Sequence, residues 1–238
     1  MIELSIVVPA YKEEPRISQS IKDIDQWIHS SGVNAEVLII VEPSPDRTLE
    51  VARDEARKCL NSKFFNIVDN QIHKGKGYAV RCGINQAQGD IKMFMDADLS
   101  VPLGEINKAL DYLRQNPDVD ILIGSRHDGG TVVKKQGLVR RLGSRGYNLL
   151  LRTMGLTGIR DTQCGFKLFR KRAAGIFEQC QIDGFGFDIE ALMIGRKSGY
   201  QIAQIPVVWY NSDRSSFDPV KDGLKVLIDA FQVWRRLS

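Results

Sequence analysis

Short apolar runs alternate with amphipathic segments along the first half of the chain. The run ELSIVVPAY is rich in β-branched residues and stops at Pro9, a pattern typical of a buried strand. Isoleucines at positions 17, 21, 24 and 28 recur at helical spacing, so a helix is predicted from residue 17 to residue 31, where Gly32 ends it. The alternation continues to about residue 126.

Further strands are predicted for the runs AEVLIIVE, FFNIVDN, DIKMFMDAD and DVDILIGSR. Helices are predicted at 46–61, after the loop KGKG and from Pro102 onward. This alternation predicts an α/β fold with a mostly parallel, Rossmann-like sheet that carries helices on both faces. In such sheets, ligands bind beyond the carboxyl ends of the strands.

The pattern is looser after residue 127. The elements predicted there are a Gly- and Lys-rich loop at 127–137, a helix at 138–154, added strands at 167–169 and 202–208, a helix at 188–198 and a C-terminal amphipathic helix. No repeat, low-complexity segment or long linker divides the chain, so a single domain at 1–238 is predicted.

Composition excludes several classes of protein. Hydrophobic residues make up 43% of the 238 residues and charged residues 26%, which favours a sizeable core over disorder. A net charge of +4 does not indicate a nucleic-acid partner, although residues 134–145 are strongly basic and contain no acid. The four cysteines lack CxxC spacing, so we expect reduced thiols in a cytoplasmic protein, without zinc or disulfides. Neither a signal peptide nor a transmembrane helix is predicted.

Two carboxylates, Asp96 and Asp98, end the strand predicted at DIKMFMDAD. Residues i and i+2 of an extended segment point the same way, so this pair can share a hard cation such as Mg²⁺ or Mn²⁺. The alternative is an Asx-type turn or a cap for the helix near Pro102. The position at the end of a central strand favours the cation, which would hold the diphosphate of a nucleotide-linked donor.

The loop HKGKGYAV favours the same donor. Its two glycines allow close approach of the backbone to a ligand, and Lys74 and Lys76 supply positive charge. The alternative is a solvated helix entry. Other nucleotide sites are excluded because the chain has no GxxxxGK[ST] loop and no GxGxxG after the first strand.

Five motifs in one order resemble those of family two glycosyltransferases with the GT-A fold. They are IVVPAYKEE, KGKGYAVRCGI, MDADLS, GSR and DTQCGFKLF. More narrowly, they resemble the polyprenyl (dolichyl) phosphate glucosyltransferases and mannosyltransferases, with a leaning toward the glucosyltransferases. The resemblance divides the chain into a nucleotide-sugar-binding half, 1–126, and an acceptor-binding half, 127–238.

The resemblance implies roles for residues on the donor side. The segment that cradles the base and ribose matches Pro9, Ala10, Tyr11 and Glu13. The motif that binds metal and diphosphate matches Asp96, Ala97 and Asp98, with Asp96 and Asp98 as metal ligands and Lys76 nearby.

Roles are also implied on the acceptor side. Arg126 matches a basic residue near the phosphates or the acceptor, and Asp161 and Gln163 match a stretch that lines the sugar and acceptor site. Asp188 and Glu190 match an acidic helix start near the same cleft.

The segment VEPSPDRT departs from the family pattern. The family's second strand usually ends in V-D-D-G-S-x-D-x-T, whereas this segment is one residue shorter, with Glu42 replacing the first Asp and a proline following. Asp46 and Thr48 still fit the end of the motif. Glu42 can accept a hydrogen bond from a base N–H, but the altered pocket leaves the choice between UDP and GDP open.

The predicted reaction is an inverting transfer of a hexose from a nucleotide sugar, with UDP-glucose expected, to a polyprenyl phosphate. The acceptor phosphate is already an anion, so a strong general base is not required. Asp161 and Asp188 are the candidates for a base, with Asp161 preferred; the alternative is that they orient a sugar hydroxyl or the acceptor loop. Arg126 and Mg²⁺ or Mn²⁺ are expected to stabilise the departing diphosphate.

A membrane contact is expected at residues 130–152, where basic and apolar residues alternate. The alternative is an ordinary solvated helix face. The expected location is the cytoplasm, on the cytoplasmic face of the membrane. No nucleic-acid partner is expected, and a homodimer is left open.

Functions other than hexose transfer to a polyprenyl phosphate are compatible with parts of the sequence. A family two transferase acting on a soluble saccharide or glycan, or using GDP-mannose, is the main alternative. A sugar-1-phosphate nucleotidyltransferase is disfavoured because its Gly-rich, basic loop after the first strand is missing. The presence of Asp96 and Asp98 argues against a non-catalytic sugar-nucleotide binder, whereas the altered segment VEPSPD favours one.

Overall fold

The computed structural model describes residues 2–126, 132–133, 156–210 and 221–238. The predicted helix at 138–154 and most of the predicted loop at 127–137 lie outside the described residues, as does nearly all of the segment 130–152.

The described elements alternate as predicted through the first half. The strands are β1 (Leu4–Ala10), β2 (Ala35–Val41), β3 (Phe65–Asp69), β4 (Ile91–Met95), β5 (Ile121–Ser125), β6 (Val132–Val133), β7 (Phe166–Arg170), β8 (Ile202–Pro206) and β9 (Trp209–Tyr210). The α-helices are α1 (Glu14–Ser31), α2 (Thr48–Lys58), α3 (Lys76–Gln86), α4 (Gly104–Gln115), α5 (Lys171–Ala174), α6 (Phe187–Lys197) and α7 (Lys221–Leu237). Short 3₁₀ helices cover Ser62–Phe64 and Gly175–Glu178.

Seven strands form one sheet in the order β3-β2-β1-β4-β7-β5-β8. All neighbouring pairs are parallel except those of β7, which runs antiparallel to β4 and β5. The predicted α/β class and mostly parallel sheet are therefore confirmed. β6 and β9 pair separately, and neither was predicted as a strand of its own.

Both faces of the sheet are covered. Alternate residues of β1 enter different cores, because successive side chains of a strand point to opposite faces. Ile6 and Val8 pack with apolar residues of α1 and α4, whereas Val7 packs with residues of α3, α6 and α7. The double coverage explains why the strands read as continuous apolar runs.

Helix boundaries differ from the predicted ones by a few residues. α1 begins at Glu14, three residues before the first isoleucine, because Pro15 fits the first turn of a helix. α2 begins at Thr48 and ends at Lys58, inside the predicted span. In the part of the chain that the structure describes, no helix is both long and apolar enough to cross a membrane.

Candidate active site

The carboxyl ends of β1 to β4 gather the donor-side residues. β4 is the middle strand of the sheet and lies between β1 and β7. The segment after β1 carries Tyr11 and Glu13, Glu42 follows β2, and Asp96 follows β4. Pro9 and Ala10 belong to β1, and Ala10 is buried.

The segment Asp96–Asp98 turns instead of continuing the strand. β4 ends at Met95, the backbone N–H of Leu99 donates to the carbonyl oxygen of Asp96 at 3.1 Å, and Leu99 has a φ of 49°. Asp98 Oδ1 accepts hydrogen bonds from the backbone N–H and the hydroxyl of Ser100, at 3.0 and 2.7 Å. The expected extended geometry is therefore wrong, and Asp98 makes the Asx-type turn that was the alternative.

Asp96 nevertheless has a cation beside it. Lys76, the first residue of α3, forms an ion pair with Asp96 Oδ1. Burial would lower the pKa of Lys76, but the charges of Asp96, Asp188 and Asp98 hold it above its ordinary value. The electrostatic repulsion between the two strand-end carboxylates is thus offset in part by a lysine.

Between the two carboxylates lies Ala97, which is buried. Its carbonyl oxygen accepts a hydrogen bond from the hydroxyl of Ser20 in α1, at 2.5 Å. This bond ties the turn to the helix that packs on the sheet.

Gly165 makes room for the carboxylate of Asp96. A Cβ atom at position 165 would overlap both oxygens of that carboxylate. The glycine of DTQCGFKLF is therefore required by the close approach of this segment to the end of β4.

The glycines of KGKG serve packing within the protein. A Cβ at Gly75 would lie 2.9 Å from the carbonyl oxygen of Asp183, and one at Gly77 would lie 2.6 Å from that of Ile182. The φ of Gly75 is 121°, which only glycine adopts readily. The close approach of the loop before α6 therefore requires glycine at both positions, and the approach of a ligand to them stays a prediction.

The segment after β1 is locked to the loop after β2. The backbone N–H of Glu13 donates to Thr48 Oγ1 at 2.9 Å, and Asp46 Oδ1 accepts hydrogen bonds from Ser44 and Thr48. Burial would raise the pKa of Asp46, but these hydrogen bonds hold it below its ordinary value. Asp46 therefore acts within the loop as its organising side chain.

The carboxylate of Glu13 is paired with Arg16 in the first turn of α1. Burial raises the pKa of Glu13, and the nearby charges of Asp98 and Asp96 add to that effect. Glu13 and Arg16 therefore lie close to the turn after β4.

Glu42 is almost completely buried, with 3% of its surface exposed. It accepts hydrogen bonds from the backbone N–H groups of Lys74 and Gly75, and it contacts the ring of His73. Sequence reasoning missed His73, although its place three residues after a predicted strand was a signal.

On the other side of β4, the partly exposed Arg126 pairs with the buried Asp161. Asp161 Oδ2 accepts hydrogen bonds from the backbone N–H and Nε of Arg126 at 2.9 and 2.8 Å, and Oδ1 accepts one from Nη2 at 2.8 Å. Burial would raise the pKa of Asp161, but the charge of Arg126 and these hydrogen bonds hold it below its ordinary value. The guanidinium also lies over the ring of Trp209, 5.4 Å from its centroid.

Asp188 is buried beside a lysine that sequence reasoning did not assign to the site. Lys167 Nζ donates to Asp188 Oδ1 at 2.5 Å and to the carbonyl oxygen of Cys164 at 2.6 Å, and its side chain is fully buried. Burial raises the pKa of Asp188 in spite of the opposing charges of Lys167 and Lys76. The signal was a lysine inside the apolar run FKLF.

Glu190, two residues after Asp188 in α6, joins this helix to the preceding loop and to α7. It accepts hydrogen bonds from the backbone N–H groups of Gln181 and Ile182 and from Arg236 in α7. In contrast, the amide nitrogen of Gln163 is buried and has no hydrogen-bond partner among the described residues.

One cleft of about 470 Å³ opens beside the loop after β2. Glu42 and Asp46 line it together with charged residues of α2, whereas Asp96 and Asp98 do not. Across the described ranges, no group of three or more His, Cys, Asp or Glu side chains is placed to hold a metal ion.

The family model for glycosyl transferase family 2 matches residues 5–176, a range that includes Tyr11, Glu42, Asp96, Arg126 and Asp161. The chain belongs to this family. The predicted glycosyltransferase activity is thereby confirmed.

Curated relatives match nearly the full chain. Dolichyl-phosphate beta-glucosyltransferase from Saccharomyces cerevisiae is 31% identical over 96% of this chain and 73% of its own length. The proteins of the same name from Dictyostelium discoideum and Homo sapiens are 29% and 30% identical, over 98% and 91% of this chain and 74% and 70% of their own lengths. The predicted resemblance to dolichyl phosphate glucosyltransferases is confirmed.

Solved structures confirm the GT-A fold. Glucosyl-3-phosphoglycerate synthase from Mycobacterium tuberculosis, in complex with Mn²⁺, UDP and phosphoglyceric acid, aligns with a TM-score of 0.67 at 18% identity over 98% of this chain and 78% of that one. A mannosyltransferase from Pyrobaculum calidifontis with GDP-Man and Mn²⁺ aligns with a TM-score of 0.68 at 18% identity, over 98% of this chain and 64% of that one.

Proposed function

We propose that the chain transfers glucose from UDP-glucose to a polyprenyl phosphate and inverts the anomeric configuration. Similarity to proteins named dolichyl-phosphate beta-glucosyltransferase over nearly the whole chain supports the substrates. A β-linked product from an α-linked nucleotide sugar requires inversion. The structural observation that supports the proposal is the ion pair of Lys76 with Asp96, because a cation at the carboxyl end of the middle strand can bind a donor diphosphate.

The leaving diphosphate is stabilised by positive side chains. Lys76 lies at Asp96, and the charge of Asp96 also acts on Arg126, so both cations border one site. Preorganised cations at the point where negative charge develops lower the barrier to transfer. We propose that Gln163, whose amide nitrogen has no hydrogen-bond partner among the described residues, binds the sugar or the diphosphate.

The carboxylates of this site suit a divalent cation. Asp96 and Asp98 offer oxygen ligands, which Mg²⁺ and Mn²⁺ prefer, and Oδ2 of Asp98 accepts no hydrogen bond from the residues described. Similar folds have been solved with Mn²⁺ or Mg²⁺. When bound, such an ion adds positive charge beside the diphosphate. We therefore propose Mg²⁺ or Mn²⁺ as the cofactor, held by Asp96 and Asp98.

Neither candidate base is free for proton transfer. Asp161 is engaged by Arg126 on both oxygens, and Asp188 is buried against Lys167. The acceptor phosphate is itself an anionic nucleophile, so it can attack the anomeric carbon without a base. We propose that Asp161 orients Arg126 and that Asp188 holds Lys167 and Lys76 in place.

A polyprenyl acceptor requires contact with a membrane. We propose this contact for residues 130–152, which lie almost entirely outside the described residues, and for one face of α7. Four large apolar side chains are exposed along α7, at Leu224, Ile228, Phe231 and Trp234. The start of α7 lies close to the loop before Asp188, since a Cβ at Gly184 would contact Lys225.

Residues 1–126 would bind the nucleotide sugar and residues 127–238 the acceptor, within one domain on the cytoplasmic face of the membrane. A homodimer is compatible with the exposed face of α7.

Transfer of label into lipid tests the proposal. The full chain is incubated with Mg²⁺ or Mn²⁺ and radiolabelled UDP-glucose, GDP-mannose or UDP-N-acetylglucosamine, with and without a polyprenyl phosphate. Label from UDP-glucose should enter the organic phase only when the lipid is present. Transfer to soluble saccharides alone, or from GDP-mannose alone, would overturn the proposed acceptor or donor.

A further inference from the structure

Glu42, the residue expected to meet the nucleobase, is turned into the protein. Its Oε1 accepts the backbone N–H groups of Lys74 and Gly75, each at 3.0 Å. Its Oε2 lies 2.7 Å from Nδ1 of His73. With three donors around one buried carboxylate, Glu42 holds the loop after β3 and has no oxygen directed to a ligand.

Unlike Glu42, His73 has a polar atom, Nε2, that can accept a hydrogen bond from a ligand. Its ring stacks on Tyr11, with 4.1 Å between the ring centroids and 14° between the planes, while 45% of its side chain is exposed. Because Glu42 accepts the proton of Nδ1, the neutral ring has Nε2 as an acceptor. No described residue donates a hydrogen bond to that Nε2 atom.

The position of this stack suits the base of the donor. Tyr11, Glu42 and His73 follow β1, β2 and β3, whereas Asp96 follows β4. From β4 to β2 the sheet spans two strand spacings, about 10 Å. A ribose bridges such a gap when the diphosphate lies at Lys76 and Asp96. On the opposite side of β4, the charged residues Arg126 and Asp161 are already paired with each other, as are Lys167 and Asp188.

We propose that His73 selects the donor's nucleobase. Its Nε2 accepts the N3–H of uracil, Tyr11 supports the imidazole from below, and Glu42 fixes the tautomer. This inference deepens the proposed function and rests on it, because it assumes a uridine nucleotide at this edge of the sheet.

Cytosine is the informative competitor. It differs from uracil at the ring edge, where its N3 carries a lone pair instead of a hydrogen. Opposite Nε2 of His73, two acceptors would face each other and neither would be satisfied. The loss of one hydrogen bond in a partly desolvated site corresponds to a preference for UDP over CDP of about tenfold or more.

The first test removes the imidazole. Dissociation constants for UDP and CDP are measured by calorimetry on the full chain with Mg²⁺, for the wild type and for His73→Ala. The preference should fall to within about twofold, since ribose and diphosphate contacts are common to both ligands. The matched control is His29→Ala, because His29 is exposed at the end of α1 and should leave the preference unchanged.

The second test reverses the tautomer and does not delete the ring. In Glu42→Gln, the amide oxygen keeps the two backbone N–H groups, so the amide NH₂ faces His73 Nδ1. Nδ1 must then accept, and the proton moves to Nε2. The variant should prefer CDP to UDP, an inversion that a purely structural role of His73 does not produce.

The outcomes separate this inference from the proposed function. If the wild type transfers glucose from UDP-glucose to the lipid but His73→Ala keeps the full UDP preference, the role of His73 is wrong and the function stands. If the wild type binds neither UDP nor CDP, both are wrong. A lost preference in His73→Ala together with inversion in Glu42→Gln supports the inference.

Discussion

Asp161 holds Arg126 through three hydrogen bonds, two to the guanidinium and one to the backbone N–H. The pair joins the end of β5 to the segment before β7. A carboxylate engaged in this way is a poor proton acceptor but a good anchor. The relationship therefore changes the role expected of Asp161 from general base to positioning residue.

Replacing Asp161 by asparagine should lower kcat by about a hundredfold, because Arg126 loses its orientation at the leaving group. The pH profile of kcat should keep its shape, since no base is removed. Steady-state rates from pH 3 to 9 check both points, because the pKa of Asp161 lies below 3.8. If Asp161→Asn instead loses the acidic limb of the profile, Asp161 is the general base and the prediction is wrong.

Acid should lower the free energy of unfolding, in part because Asp161 becomes protonated. Its pKa in the folded protein lies below the ordinary value of 3.8, so the unfolded chain binds the proton more readily. The stabilisation that Asp161 contributes is fully present above pH 3.8 and is lost as the pH falls through the lower pKa that this group has in the folded protein. Urea unfolding should show the stability gap between wild type and Asp161→Asn narrowing below pH 3.8. In the exposed-pair control, Asp111→Asn, no comparable gap should exist.

Lys167→Met should destabilise the protein by about 3–5 kcal/mol, because it leaves the buried Asp188 without its partner. The double variant Lys167→Met/Asp188→Leu should recover most of this loss, since an apolar pair needs no solvation. Urea unfolding measures both. Arg57→Met is the control: both Arg57 and its partner Asp54 are exposed, so their pair should contribute at most about 1 kcal/mol. Equal effects of Lys167→Met and Arg57→Met would contradict the prediction.

Gly165→Ala should reduce glucose transfer by at least about a hundredfold, because the new Cβ displaces the carboxylate of Asp96. UDP binding in the presence of Mg²⁺ should weaken in parallel, as calorimetry can measure. Gly104→Ala adds the same methyl group where nothing lies within 4 Å and should leave the rate unchanged. An active Gly165→Ala variant would show that the position of Asp96 is not critical.

The exposed face of α7 should contribute to membrane binding. Ile228→Glu/Trp234→Glu places two acids among its apolar side chains and should reduce co-sedimentation with anionic liposomes severalfold. Leu60→Glu changes a side chain that is 81% exposed, outside α7, and should have no effect. Unchanged sedimentation of the α7 variant would leave residues 130–152 as the proposed contact.

Local patterns were enough to predict most elements. Strands repeat every two residues and helices about every 3.6, so a short stretch of sequence is enough to recognise either one. This is why the apolar runs predicted β1 to β5 and the spaced isoleucines predicted α1. FKLF was also predicted as a strand. Its insertion between β4 and β5, antiparallel to both, was not, because pairing depends on contacts across many residues.

The sequence by itself determined the alternating fold, the family motifs and the residue types at the site. Only the tertiary structure decided what those residues face. In the folded protein, Asp98 forms an Asx-type turn and Glu42 contacts His73. The KGKG glycines pack against a loop more than a hundred residues away in sequence. The physical reason is that a side chain's role is set by its hydrogen-bond partners, and these come from strands distant in sequence that meet at one edge of the sheet.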